Sequence, residues 1–225
     1  MRKEEVPILK AMGFSFDHQP LLNLLIGAVI GSCAISGIFF FELWFEMLTI
    51  TGINSASALI KDLSTYIIVP LIEETLFRCA FLGGLLLILK NRLVAIVISA
   101  VVFGGLHSFN SNATVLSVFS TMLGGLAYAL AFVSTERIYL PFGLHLGWNY
   151  TQARVFGFHI SGSAVRGPAP FVQQHDLGPV IVTGGTYGPE GGFLGLCGRI
   201  MVLLLIASWL IIQQRRKHII ESEDT

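Results

Sequence analysis

Charge is what this sequence has least of. Asp, Glu, Lys and Arg make up only 12% of its 225 residues, against 53% hydrophobic residues, a balance that excludes an ordinary soluble domain and places the chain in lipid. The 14 basic and 14 acidic residues cancel, so no field of one sign recommends a nucleic acid as partner, and that class is excluded. Cysteine is scarce too. Cys33, Cys79 and Cys197 stand far apart in apolar runs, with no CxxC neighbour and no zinc-ligand spacing, and are expected to be packing residues. A cleaved leader is not expected either: the first apolar run starts at Leu21, is about twenty residues long and has no small-residue cleavage site before a soluble domain.

What is present is a series of apolar runs. A helix needs about 20 apolar residues to cross the hydrocarbon core, and runs near that length occupy 21–45, 60–89, 92–109, 113–134, 138–156 and 192–213. The positive charges alternate with them. Arg2, Lys3 and Lys10 precede the first run, Lys90 and Arg92 lie between the second and third, Arg137 between the fourth and fifth, and Arg215, Arg216 and Lys217 follow the last. All fall on one side if there are about six spans and both termini are cytoplasmic, as the positive-inside rule requires. The expected fold is therefore all-α: a polytopic transmembrane helix bundle forming one integral membrane domain over 1–225. The other face carries 46–59 and a Gly- and Pro-rich stretch of about 157–191 with Arg166, His175 and Asp176. That stretch is too long for a simple connection, which leaves two readings: a lid or substrate entrance, or a disordered outer loop.

Ionisable residues inside spans are costly and call for a specific account. The second run contains Glu73, Glu74 and Arg78 in the sequence Pro70-Leu-Ile-Glu-Glu-Thr-Leu-Phe-Arg78. Glu74 and Arg78 are four apart, so they share a helical face and are expected to pair. Glu73 points about 100° away and lacks that partner. A buried carboxylate with no dedicated counter-charge readily takes up a proton, which makes Glu73 the candidate general base. Pro70 removes a helical hydrogen bond just before the pair, so a kink is expected there. The bland alternative for the three charges is an ion cluster that only fixes helix packing.

The third run ends in Phe103-Gly-Gly-Leu-His107, and the fifth contains His145-Leu-Gly-Trp-Asn149. His145 and Asn149 share a face. A single membrane histidine is commonly just an interhelical hydrogen-bonder. The set of Glu73, His107, His145 and Asn149, drawn from three runs, supplies a base, a proton carrier and neutral donors for an oxyanion. By depth these groups do not meet if the helices are straight and perpendicular; tilt, the Pro70 kink or a deeper start of the fifth helix, with Pro141 in its first turn, would bring them together.

In order along the chain, Glu-Glu-x-x-x-Arg at Glu73, Glu74 and Arg78, Phe-x-x-x-His at Phe103 and His107, and His-x-x-x-Asn at His145 and Asn149 resemble the three motifs of the CAAX prenyl-protease and bacteriocin-processing (CPBP, or ABI) family of intramembrane peptidases. The resemblance covers about 70–150, within a family-like core of about 60–156. It implies hydrolysis of peptide bonds in membrane-associated proteins or peptides, prenylated ones among them. In that reading Glu73 with His107 activates a water, His145 and Asn149 stabilise the oxyanion, and Glu74, Arg78 and Phe103 support them. A metal-free site is expected, with zinc held by Glu73, His107 and His145 as the alternative. No His-Glu-x-x-His helix occurs. Neither does a Gly-x-Ser-Gly motif, since Ser161 and Gly162 follow His159 and Ile160, nor a Gly-x-Gly-Asp motif, which excludes the other intramembrane protease chemistries. The resemblance implies a lipid bilayer and a peptide or membrane-protein substrate as partners, and a multi-pass place in the cell membrane. The competing reading is a transporter or a partner-binding scaffold that uses the same buried polar cavity.

Overall fold

The computed structural model describes Gly13, residues 20–164 and residues 169–223. Arg2, Lys3, Lys10 and Arg166 lie outside the described residues, as do the side chains of Arg215, Arg216 and Lys217. The chain runs through helix α1 (Pro20–Trp44), strand β1 (Leu48–Ile53) and helix α2 (Leu63–Glu74). A π-helical stretch, Thr75–Leu82, carries α2 directly into α3 (Gly83–Ile88). Helix α4 (Arg92–Leu106) ends in a 3₁₀ turn, His107–Phe109. Helices α5 (Val115–Thr135) and α6 (Tyr139–Tyr150) follow, α6 being prolonged by a π-helical stretch, Thr151–Val155. Strand β2 (Val172–Asp176), the short helix α7 (Val180–Thr183) and the long helix α8 (Phe193–Glu223) complete it.

The result is a membrane helix bundle. By length and composition Pro20–Trp44, Arg92–Phe109 and Val115–Thr135 are able to cross a membrane, and Phe193–Trp209 is a shorter apolar helix. The α2–α3 and α6 runs are interrupted by charged and polar groups and by π-helical turns. Lipid solvation explains what the surface exposes: Leu21, Leu25, Val29 and Phe40 on α1, Val97 and Val101 on α4, and Leu204 and Leu205 on α8 all face outward, a belt that water would not tolerate.

Local chemistry sets the helix ends. The Asn91 side chain accepts from the backbone N–H groups of Leu93 and Val94 at the start of α4. Thr114 and Ser117 form a reciprocal capping box at the start of α5. Pro70 is accommodated inside α2 without ending it, and a π-helical stretch begins just over one turn later.

Helix α6 sits at the centre of the bundle because α1 lies against its backbone. Gly27 and Gly31 of α1 abut the backbone of Leu140 and Leu144, while Gly143 and Gly147 of α6 abut Leu24 and Ala28, and a Cβ at any of the four would overlap the facing main chain. Without a hydrophobic drive between helices in lipid, such close approach supplies the packing energy. His145 lies two residues from both Gly143 and Gly147, about 200° around the helix, so it turns away from α1 and toward α2.

The described parts of the stretch of about 157–191 are neither a simple loop nor shapeless. Its β2 pairs antiparallel with β1, Leu48 opposite Asp176 and Ile53 opposite Val172, with a bulge between Ile50 and Gly52. The bundle thus carries a small two-stranded sheet at one face, an addition to the all-α expectation. The Asn54 side chain donates to the Pro170 carbonyl at 2.7 Å and the Tyr150 hydroxyl to the Leu59 carbonyl at 2.6 Å, fastening this cap to the helices. Cys79 is buried as expected of a packing residue, but Cys33 and Cys197 are exposed, because each falls on the outer side of an apolar helix where lipid, not protein, is the neighbour.

Candidate active site

The adjacent acids of α2 separate into two environments. Glu74 is fully buried, and its Oε2 accepts from Arg78 Nε at 2.9 Å across one helical turn. Arg78 is buried as well. It donates to Ser99 Oγ at 3.2 Å, and its guanidinium lies 4.7 Å from the centre of the Phe103 ring, a cation–π contact strengthened by exclusion of water. Phe103 also meets Phe77 edge-on at 5.1 Å. Glu73, one residue earlier, leaves 27% of its side chain exposed, and that exposure is into a cavity.

His145 joins the two acids. Its Nδ1 stands 2.9 Å from Glu74 Oε1. An ionised carboxylate only accepts, so Nδ1 carries the proton of this bond and Nε2 is the nitrogen left for chemistry. Nε2 faces Glu73, 3.7 Å from Oε2. The imidazole is therefore set between two carboxylates, one buried and salt-bridged, the other open to the cavity.

His107 arrives from the 3₁₀ turn after α4. Its Nδ1 lies 2.7 Å from the Phe103 carbonyl; a carbonyl accepts, so here too Nδ1 is the donor and Nε2 is left for other partners. The cavity, about 280 Å³, is lined by Glu73, His107, His145 and Asn149, with Pro70 and Tyr66 of α2 and with Ser161 and Ser163 of the loop segment. Glu73, His107 and His145, which depth counting kept apart, line one space together with Asn149. The turn at His107–Phe109 and the start of α6 at Tyr139, with Pro141 in its first turn, accompany this convergence. The sequence pairs Glu73 with His107; the geometry puts His145 within ion-pair reach of Glu73 and leaves His107 as a neighbour on the same wall.

The alternative zinc set fits poorly. Among the described residues no three His, Cys, Asp or Glu side chains stand close enough together to hold a metal ion.

Several participants were not singled out from the sequence. Tyr128 of α5 stacks on His145, ring centres 4.9 Å apart and planes 18° apart. Arg199 of α8 donates from Nη1 to the Tyr128 hydroxyl at 2.6 Å and lies 3.7 Å over the Trp148 ring. Glu190, buried, accepts from Trp148 Nε1 at 3.3 Å and from Gln152 Nε2 at 2.6 Å. A signal for Arg199 existed, since it is a charge inside the last apolar run. Tyr128 offered none: an aromatic at helical spacing reads as core.

Residues 55–151 match the family model described as Rce1-like, type II CAAX prenyl endopeptidase. That segment contains Glu73, Glu74, Arg78, Phe103, His107, His145 and Asn149, but not Glu190 or Arg199. No curated protein and no solved structure matches the chain.

Proposed function

We propose, from the match of residues 55–151 to the Rce1-like family model of type II CAAX prenyl endopeptidases, that the protein is an intramembrane endopeptidase of that family working through a glutamate-activated water. Its substrates are membrane-associated proteins or peptides, prenylated C-terminal tails among them. The single observation that carries the reading is the Glu74–His145–Glu73 arrangement opening on a cavity: 2.9 Å on the buried side and 3.7 Å on the open side.

Each residue has a task that its geometry supports. Glu73, the only one of the pair with access to the cavity, takes a proton from a water as it attacks the scissile carbonyl. His107, with Nδ1 given to a backbone carbonyl, offers the Nε2 lone pair to the same water. His145, whose unprotonated Nε2 faces Glu73 at 3.7 Å, accepts a share of the proton that Glu73 has taken from the water until it is returned, and Asn149, four residues on and on the same wall, donates from its carboxamide to the oxyanion. Glu74 holds the His145 tautomer, and Arg78 neutralises Glu74. Proton return from Glu73 to the departing amine completes the hydrolysis: water adds across the C–N bond, one product ending in a carboxylate and the other in an amine.

The test is cleavage of prenylated and unprenylated peptides by purified wild type and Glu73→Gln in liposomes, with and without a chelator. Expected is cleavage by wild type, a loss of about 10²–10⁴-fold in kcat with Glu73→Gln and retained peptide binding. Cleavage undiminished by Glu73→Gln would overturn the mechanism, and chelator-sensitive cleavage restored by zinc would replace it with the metal one. A Glu73-dependent flux of protons or solute without cleavage would support a transporter.

A further inference from the structure

The bond from His145 Nδ1 to Glu74 holds one nitrogen of the imidazole, but a single hydrogen bond tolerates some rotation of the ring about Cβ–Cγ. Its tilt decides where Nε2 aims, and the group that sets the tilt is Tyr128, stacked 18° from parallel at 4.9 Å. Phe103 closes an edge of the imidazole, 6.1 Å away and nearly perpendicular. Tyr128 is itself pinned at its far end, where Arg199 Nη1 donates to its hydroxyl at 2.6 Å.

Arg199 is then fixed from two sides. The Trp148 ring lies 3.7 Å beneath the guanidinium, and Glu190 Oε1 stands 3.8 Å from Nη2. Glu190 is only 1% exposed and Arg199 only 5%. A buried ion pair of this kind is costly to desolvate, and apolar residues would fill the same volume with equal or better stability. What apolar residues cannot do is aim a donor at the Tyr128 hydroxyl.

We propose that Arg199, acting through Tyr128, is a positioning residue for His145, so that α8 and the buried Glu190 set the angle at which the imidazole faces Glu73. This rests on the reading of Glu73 and His145 as the hydrolytic pair. Arg199 and Glu190 lie beyond the segment matched by the family model, so the site is completed by a part of the chain outside the shared core.

A positioning role and a merely structural one differ in the kcat of the molecules that fold. Cleavage is measured on full-length Tyr128→Phe, Tyr128→Leu, Arg199→Gln and Arg199→Lys, normalised to the folded fraction. A sub-ångström to 1 Å misplacement costs up to about 100-fold, so Tyr128→Leu should lower kcat about 100-fold and Tyr128→Phe or Arg199→Gln about 10-fold, with KM within about 2-fold. Arg199→Lys should recover part of the loss, and Tyr128→Phe with Arg199→Gln should be no worse than the poorer single variant, because both break one link. Wild-type kcat per folded molecule in Tyr128→Phe and Arg199→Gln would overturn the proposal. If the wild type cleaves no peptide, the peptidase reading fails separately, and ¹⁵N-histidine NMR judges the positioning. The His145 Nδ1 proton signal, assigned by its absence in His145→Asn, should shift and exchange faster in Arg199→Gln. An unchanged signal in a folded variant would overturn the proposal.

Discussion

Glu73 and Glu74 are the same residue type, adjacent in sequence, and the bundle makes them opposites. Glu74 is fully buried with Arg78 and His145 as partners, so Glu74→Gln strands a buried guanidinium and should cost about 3–5 kcal/mol of stability. Glu73 has a quarter of its side chain in the cavity and no hydrogen-bond partner for its buried Oε2, so Glu73→Gln should change stability by less than about 0.5 kcal/mol while removing activity. Denaturant or thermal unfolding of the two variants in detergent, set beside their cleavage rates, checks the pair. Equal destabilisation by both would mean that the two acids form only an ion cluster. The i,i+4 pairing of Glu74 and Arg78 was legible from spacing alone. The place of His145 between the acids was not, because it depends on how α6 is rotated against α2.

At the scale of elements, the rotation of α6 is set by its glycines. Gly143 and Gly147 leave no room between α6 and α1, and His145 faces α2 as a consequence. Gly143→Leu should therefore push the two helices apart. The expected outcome is a loss of several °C in melting temperature together with cleavage reduced well beyond the folded fraction, as His145 loses its aim. The same substitution at Gly37, which has open space around it, should be nearly silent. Similar losses at Gly37 and Gly143 would show that helix propensity, not interhelical contact, is being measured. Each of the six apolar runs coincides with a helical stretch, although α8 runs on to Glu223 and three of the helices are long and apolar enough to cross a membrane; a simple count of apolar residues locates helices better than it ends them. The β1–β2 pairing escaped such a count: strands of five and six residues joined across more than a hundred positions carry little periodicity of their own.

For the molecule as a whole, the distribution of lysine and arginine leads us to propose that both termini face the cytoplasm. A membrane-impermeant thiol reagent should then label Ile181→Cys, on the exposed side of α7, from outside intact cells, in a background without the native cysteines. It should label Lys90→Cys only after permeabilisation. Labelling of Ile181→Cys from the cytoplasmic side would invert the topology. Because no three His, Cys, Asp or Glu side chains among the described residues are grouped to hold a metal ion, cleavage is expected to survive a strong chelator, and its loss with rescue by zinc alone would contradict the metal-free reading.

Composition and short-range spacing determined by themselves that this chain is a helical membrane protein, where its helices lie and which residues are the candidates for chemistry. These depend on transfer of side chains into lipid and on the 3.6-residue turn, both local properties of a segment. Which histidine meets which glutamate, the stacking of Tyr128 on His145, and the reach of Arg199 and Glu190 toward the site were decided only by the tertiary structure. Those contacts join positions far apart in the chain, and they exist because glycine lets α1 and α6 approach and because buried charges must find partners where helix packing leaves them.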